Sequence, residues 1–119
     1  MSPLPLPATI CEAFQATVAA HPDRLALRSS DGRSALTWSQ YGKRVRAIAE
    51  GFASLGVKPG DTVALMLTNR PEFHLCDMAA LHAGVTPFSI YNTNPPETIA
   101  YLFGNAGNSI VICEEQFLP

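Results

Sequence analysis

The stretch TVALMLTNRPEFHLCDMAALHAG, residues 62–84, decides the fold. It opens on a nearly continuous apolar run, 62–67, as a strand covered on both faces would. Residues 71–83 then place Phe73, Leu75, Met78, Ala79 and Leu81 through a predicted helix that stops at Gly84. The pattern repeats. VTPFSIY (85–91) is a second strand candidate, with Pro87 favouring its beginning over its centre. Residues 95–106 offer Ile99, Tyr101, Leu102 and Phe103 for a further helix, which Gly104-Asn105-Ala106-Gly107 ends, and SIVIC (109–113) is a third apolar run rich in β-branched residues. Strand–helix–strand–helix–strand at this spacing is two consecutive βαβ crossovers. The expected fold class is therefore α/β, a mostly parallel sheet with flanking helices.

Both strand-to-helix junctions carry the same words, TNRPE at 68–72 and TNPPE at 93–97. Asn69 with Glu72, and Asn94 with Glu97, have the spacing of a helix N-cap followed by an acidic third residue, and proline is tolerated in that first turn. Both motifs read first as helix starts. In a parallel sheet such turns lie at the carboxyl ends of strands, where ligands bind in open α/β folds, and helix N-termini favour anions. Glu72 and Glu97 would repel a phosphate, however, and neither turn has glycines to let the backbone approach one. The turns are expected to be scaffold near a site.

Upstream, TICEAFQATVAAHPD sets Ile10, Phe14, Thr17 and Val18 at helical spacing, with Thr9 as cap and Pro22 marking the end. RLALRS (24–29) alternates like a half-buried strand, Asp31-Gly32 makes a turn, and SALT (34–37) returns as a second strand. Thr37-Trp38-Ser39-Gln40 is a capping-box pattern opening a long helix. Tyr41, Val45, Ile48, Ala49, Phe52 and Leu55 form its apolar stripe, Gly56 suits the left-handed residue after it, and KPGD (58–61) supplies a tight turn.

The 119 residues are 47% hydrophobic and 15% charged, with a formal net charge of −2, which suits one globular domain with a small core. Cations are scattered, Lys43-Arg44-Val45-Arg46 being their one cluster, so the dense positive stripe of a nucleic-acid binder is missing. Cys11, Cys76 and Cys113 are odd in number and far apart, which argues against a disulfide framework and fits a reducing compartment; Cys76 and Cys113 read as buried small apolar side chains. MSPLPLPATI has no charged region of the signal-peptide kind, and no apolar run approaches the ~20 residues of a membrane span. The expected location is cytoplasmic.

No catalytic constellation stands out. GFASLGVK (51–58) is a near miss to a phosphate loop, with Val57 where Lys is required, and it sits at a helix end. His74 and Asp77 are close enough to pair on one helix face but lack a third metal ligand. There is no Gly-x-Ser-x-Gly elbow, and Glu114-Glu115 read most simply as a solvated loop. The residues nominate no catalytic, cofactor-binding or metal-ligating position.

From about His21 to Glu115 the chain nevertheless resembles the acyl-adenylate-forming superfamily of acyl-CoA synthetases, luciferases and peptide-synthetase adenylation domains. The landmarks are Pro22-Asp23, Leu36-Thr37-Trp38 leading into the long helix, Gly56-Val57-Lys58-Pro59-Gly60-Asp61, Asn69-Arg70-Pro71-Glu72-Phe73 and Ala83-Gly84. Within it, ALHAGVTPFSIYNTNPPETIAYL is most similar to long-chain fatty-acyl-CoA synthetases. The resemblance implies the incomplete N-terminal subdomain of that fold, with residues 1–20 as an arm and first helix and 21–119 as the N-terminal part of the AMP-binding α/β domain. It implies a fatty acid, Mg·ATP and coenzyme A as the partners of a full-length fatty-acid–CoA ligase. The family's phosphate loop, Tyr-Gly-x-Thr-Glu segment, ribose-binding Asp and C-terminal lysine all lie beyond Pro119, so no residue here inherits those roles. The chain alone is expected to be inactive, to bind no cofactor and to self-associate, as a fragment of a larger enzyme or the product of a truncated gene. The alternatives are a stand-alone α/β binding or interaction module, or a fatty-acyl-AMP ligase that delivers to a carrier protein.

Overall fold

The computed structural model describes residues 6–119, so the first five residues of the Pro-rich arm lie outside the described residues. The chain divides into two compact units, residues 1–43 and 44–119, and the division falls inside one helix.

In the first unit α1 spans Ile10–Ala20. Thr9 caps it as its sequence predicts: the Thr9 hydroxyl accepts the Glu12 backbone N–H at 3.0 Å, and the Glu12 carboxylate reaches back to the Ala8 N–H at 2.7 Å. β1 (Leu25–Arg28) and β2 (Ala35–Thr37) pair antiparallel across the Asp31-Gly32 turn. Gly32 takes φ +73 there, a conformation that costs glycine nothing. The expected alternation of β1 is interrupted, because the register slips between Leu25 and Leu27 as a bulge does. Helix α2 (Trp38–Ser54) opens on the expected capping box: Thr37 donates its N–H to Gln40 Oε1 at 2.8 Å, and Gln40 donates its N–H to Thr37 Oγ1 at 3.2 Å. Phe14 packs edge-on against both Trp38 and Tyr41, with centroids 5.8 and 4.7 Å away. Gly42 lets α2 approach α1: a Cβ there would stand 3.3 Å from Val18.

The second unit holds the parallel sheet: β3 (Thr62–Met66), α3 (Pro71–His82), β4 (Thr86–Ser89), α4 (Pro96–Ala106) and β5 (Ile110–Cys113), followed by a short 3₁₀ turn, Glu115–Phe117. The strand order is β4-β3-β5, all parallel. β3 is the centre, and Val63, Ala64 and Leu65 are buried in succession, as a strand covered on both faces requires. Leu75, Ala79 and Ala80 of α3, with Val85 and Ile90 flanking β4, complete the core around it, and Val45, Phe52 and Val57 are buried upstream. The path from β3 to β4 moves one way across the sheet, and the path from β4 to β5 returns past β3. With right-handed crossovers, that reversal sets α3 and α4 on opposite faces.

Three expectations are corrected. Leu55 lies one residue past the end of α2, in the turn that Gly56 completes at φ +84, and is exposed. The caps of α3 and α4 are Arg70 and Pro95, one residue later than Asn69 and Asn94, and neither helix has a side-chain cap bond. The cause is proline: Pro71 and Pro96 force the residue before them into extended backbone, which is the conformation of an N-cap. Cys76 and Cys113 are half-buried rather than buried.

Candidate functional site

In a parallel sheet the carboxyl edge is where side chains from separate strands converge, and here three turns meet it. The turn after β3 carries Thr68, Asn69 and Arg70; the turn after β4 carries Tyr91 and Asn94; Glu114 follows β5. Arg70 is the hub. Its Nε donates to Glu72 Oε2 at 2.7 Å, and its Nη1 donates to Glu114 Oε1 at 2.9 Å. Glu114 Oε2 accepts the Thr68 backbone N–H, and its Oε1 also accepts from Gln116 Nε2 at 2.8 Å.

These contacts set the electrostatics. The Thr68 donors hold the Glu114 carboxyl at about 2, with Gln116 and Arg70 adding to the effect. The Arg70 guanidinium lowers the Glu72 carboxyl, and both acids push the Arg70 pKa up. Arg70 is thus committed to two carboxylates of its own chain. The first turns of α3 and α4 each carry an acid, Glu72 and Glu97. That arrangement suits a braced strand end and does not suit a phosphate, which would meet acidic side chains and a guanidinium already engaged. Among the described residues no group of three or more His, Cys, Asp or Glu side chains stands together to hold a metal ion.

The other nominated features fall elsewhere. His74 and Asp77 interact on α3: burial raises the Asp77 carboxyl, and the charge of His74 opposes that rise. His82 Nδ1–H donates to the Met78 carbonyl at 2.8 Å. Residues 51–58 do span the end of α2, with Val57 buried. Of the two acids read as a solvated loop, Glu115 is exposed as expected, but Glu114 departs from that reading, since its side chain is 9% exposed and engaged by three donors. Its partners lie 44 and 46 residues earlier, and nothing local in the sequence marks the pairing. The register of β5 on β3, which sets Cys113 beside Met66, brings them together. No helix among the described residues is long and apolar enough to cross a membrane.

The likenesses to other proteins agree with this architecture. O-succinylbenzoate coenzyme A synthetase from Bacillus subtilis, solved with AMP, superposes with a TM-score of 0.82 at 22% identity, over 88% of this chain and 27% of that one. A benzoate CoA ligase from Burkholderia xenovorans gives 0.83 at 20%, over 90% of this chain and 22% of that one. At such identities the likeness carries the fold alone. In sequence, an uncharacterized protein of Mycobacterium tuberculosis is 51% identical over 94% of this chain and 64% of its own length. A long-chain-fatty-acid–CoA ligase from Xenopus laevis is 33% identical over 92% of this chain and 15% of its own. The chain therefore spans less than two thirds of the first and a small part of the second. The family model for AMP-binding enzymes matches residues 14–118, nearly everything from α1 to the last turn. With its parallel sheet and flanking helices, the chain belongs to the AMP-binding enzyme family.

Proposed function

We propose that this chain is the N-terminal part of a fatty-acid–CoA ligase. The observation that supports the reading most directly is the 33% identity to a long-chain-fatty-acid–CoA ligase across 92% of the chain, within a family match over residues 14–118. In the proposed reaction a fatty carboxylate attacks the α-phosphorus of Mg·ATP, and pyrophosphate leaves. The thiol of coenzyme A then attacks the acyl carbon of the mixed anhydride and displaces AMP. The first step is activation, because a carboxylate resists a thiol and an anhydride does not. No step is assigned to a residue of this chain. Its part is to build the β3-centred sheet, and residues 1–20 and 21–119 are an arm with first helix and the start of the AMP-binding domain, acting in the cytoplasm. The chain by itself is inactive in this reading.

ATP–pyrophosphate exchange with fatty acids tests it, comparing the 119-residue chain with a form extended along its reading frame. Exchange in the extended form alone is the expected result. An extended form that lacks exchange, or a downstream frame without a Ser/Thr/Gly-rich loop, overturns it. An extended form that exchanges pyrophosphate but makes no thioester with coenzyme A points to an acyl-AMP ligase serving a carrier protein.

One observation favours a second reading. The chain covers 64% of the mycobacterial relative but 15% of the ligase, so that relative is several times shorter than the enzyme. A stand-alone module of this family segment is the function such a length supports, and it predicts ligand affinity without pyrophosphate exchange.

A further inference from the structure

The backbone ladder between β3 and β5 ends at Met66 and Cys113. Beyond it the two strands lead into different structures. β3 enters the turn that starts α3, and β5 enters the 3₁₀ turn of Glu115–Phe117. The backbone hydrogen bonds described for that 3₁₀ turn are local, Phe117 N–H to Glu114 O and Leu118 N–H to Glu115 O. What crosses from one side to the other is the Glu114 side chain. Its two oxygens are divided between the partners: Oε2 takes the Thr68 N–H, and Oε1 takes Arg70 Nη1 and Gln116 Nε2. Arg70 is itself the N-cap residue of α3 and is fastened to Glu72 in the first turn of that helix.

We propose that Glu114 is a latch that makes the exit of β5 and the β3–α3 turn one ordered unit, so that both segments open together when its carboxylate is released. Three features of the geometry carry this. The carboxylate receives donors from both segments at once, its side chain is 9% exposed, and the contact spans 44 to 46 residues of chain. Bonds to an ionised acceptor are roughly twice as strong as neutral ones, so the tie is strong enough to hold a short 3₁₀ turn that could not hold itself. The device is independent of the acyl-activation reading, because it concerns the order of two turns in the chain as it stands.

Amide hydrogen exchange on the 119-residue chain tests it, with Glu114→Gln and Arg70→Gln as variants. Thr68 and Arg70 donate to different oxygens of the carboxylate, and Glu114→Gln keeps one acceptor oxygen, so it can serve one of the two donors but not both, and the tie is broken with little change in size. The expected result is exchange faster by about tenfold or more at Thr68, Phe117 and Leu118 together, with Val63, Ala64, Leu75 and Ala79 unchanged. Faster exchange at Phe117 and Leu118 with Thr68 unmoved overturns the latch, as does no change at any of the three. If Glu114→Gln does not fold, Arg70→Gln decides, because it removes a half-exposed side chain on the far side of the tie. It must still speed exchange at Phe117 and Leu118, and protection there equal to the wild type overturns the proposal.

Discussion

Gly60 donates its backbone N–H to the carbonyl of Gly84 at 2.9 Å, so the turn that launches β3 and the turn that launches β4 share a hydrogen bond. Both glycines have positive φ, +91 and +73, and a Cβ on Gly84 would stand 3.3 Å from the Cβ of Pro59. Gly84→Ala therefore meets two costs, the left-handed backbone and the proline. Gly107, at φ +60 with nothing within 4 Å, meets only the first. The left-handed cost is about 1–2 kcal/mol, and urea denaturation is expected to show a larger loss for Gly84→Ala than for Gly107→Ala. Equal losses would mean that the Pro59 contact yields freely.

The helix starts allow a paired comparison. Thr37 Oγ1 accepts the Gln40 N–H, so Thr37→Ala is expected to lose about 1 kcal/mol. Asn69 looks like a cap in sequence, yet the N-cap of α3 is Arg70, without a side-chain bond. Asn69→Ala is expected to stay within about 0.5 kcal/mol of the parent. Thermal or urea melts of both variants check the contrast.

Acid stability is expected to reflect opposed carboxylates. Glu114 titrates at about 2 in the fold against an ordinary 4.5, and Glu72 is also lowered. A lowered folded pKa stabilises above the ordinary carboxylate range and is lost as pH falls toward the folded value. Asp77 runs the other way: burial raises it, so its contribution favours folding in acid and disappears as pH rises through its folded pKa. Urea midpoints followed from neutral pH down to about pH 3 are expected to fall less steeply in Glu114→Gln than in the parent, since unequal proton uptake by the two states sets that slope. Asp77→Asn is expected to gain stability at neutral pH, and a loss there would show that its charged form is held by a favourable contact.

Self-association is expected through β5. Thr86 donates its N–H to Asp61, just before β3, and Ile90 donates to Leu65 of β3, so alternation turns Pro87 outward on the free edge of β4, where it has no N–H to offer. β5 lacks such a guard. Ser109 bonds inward to Thr62, which turns the backbone of Ile110 and Ile112 outward, where Asn108 Nδ2 covers the Ile110 carbonyl at 3.1 Å. Val111 is 40% exposed on that strand. Light scattering is expected to show concentration-dependent association, weakened by Val111→Lys. A monodisperse monomer at high concentration would count against it.

Legibility followed the range of each interaction. Capping boxes, glycine turns and the apolar run of β3 lie within a few residues, and Thr9, Thr37, Gly56 and Val63–Leu65 do what their neighbours imply. The caps stand one residue later than the sequence suggests, because Asn and Glu imply a side-chain cap while the proline between them decides the backbone. At the candidate site the acids at the helix starts were legible as scaffold, and the brace on Arg70 was not. Glu114 meets Arg70 only once β5 has taken its register on β3, and strand order is a property of the whole sheet.

That strand order has a consequence for synthesis. β3 and β4 leave the ribosome with α3 between them and can pair at once, but the other side of β3 waits for β5. At roughly 5–20 residues per second the intervening segment takes on the order of seconds to emerge. Throughout that interval the most deeply buried strand among the described residues has one bare flank, so the nascent polypeptide presents an unpaired edge that β5 later covers.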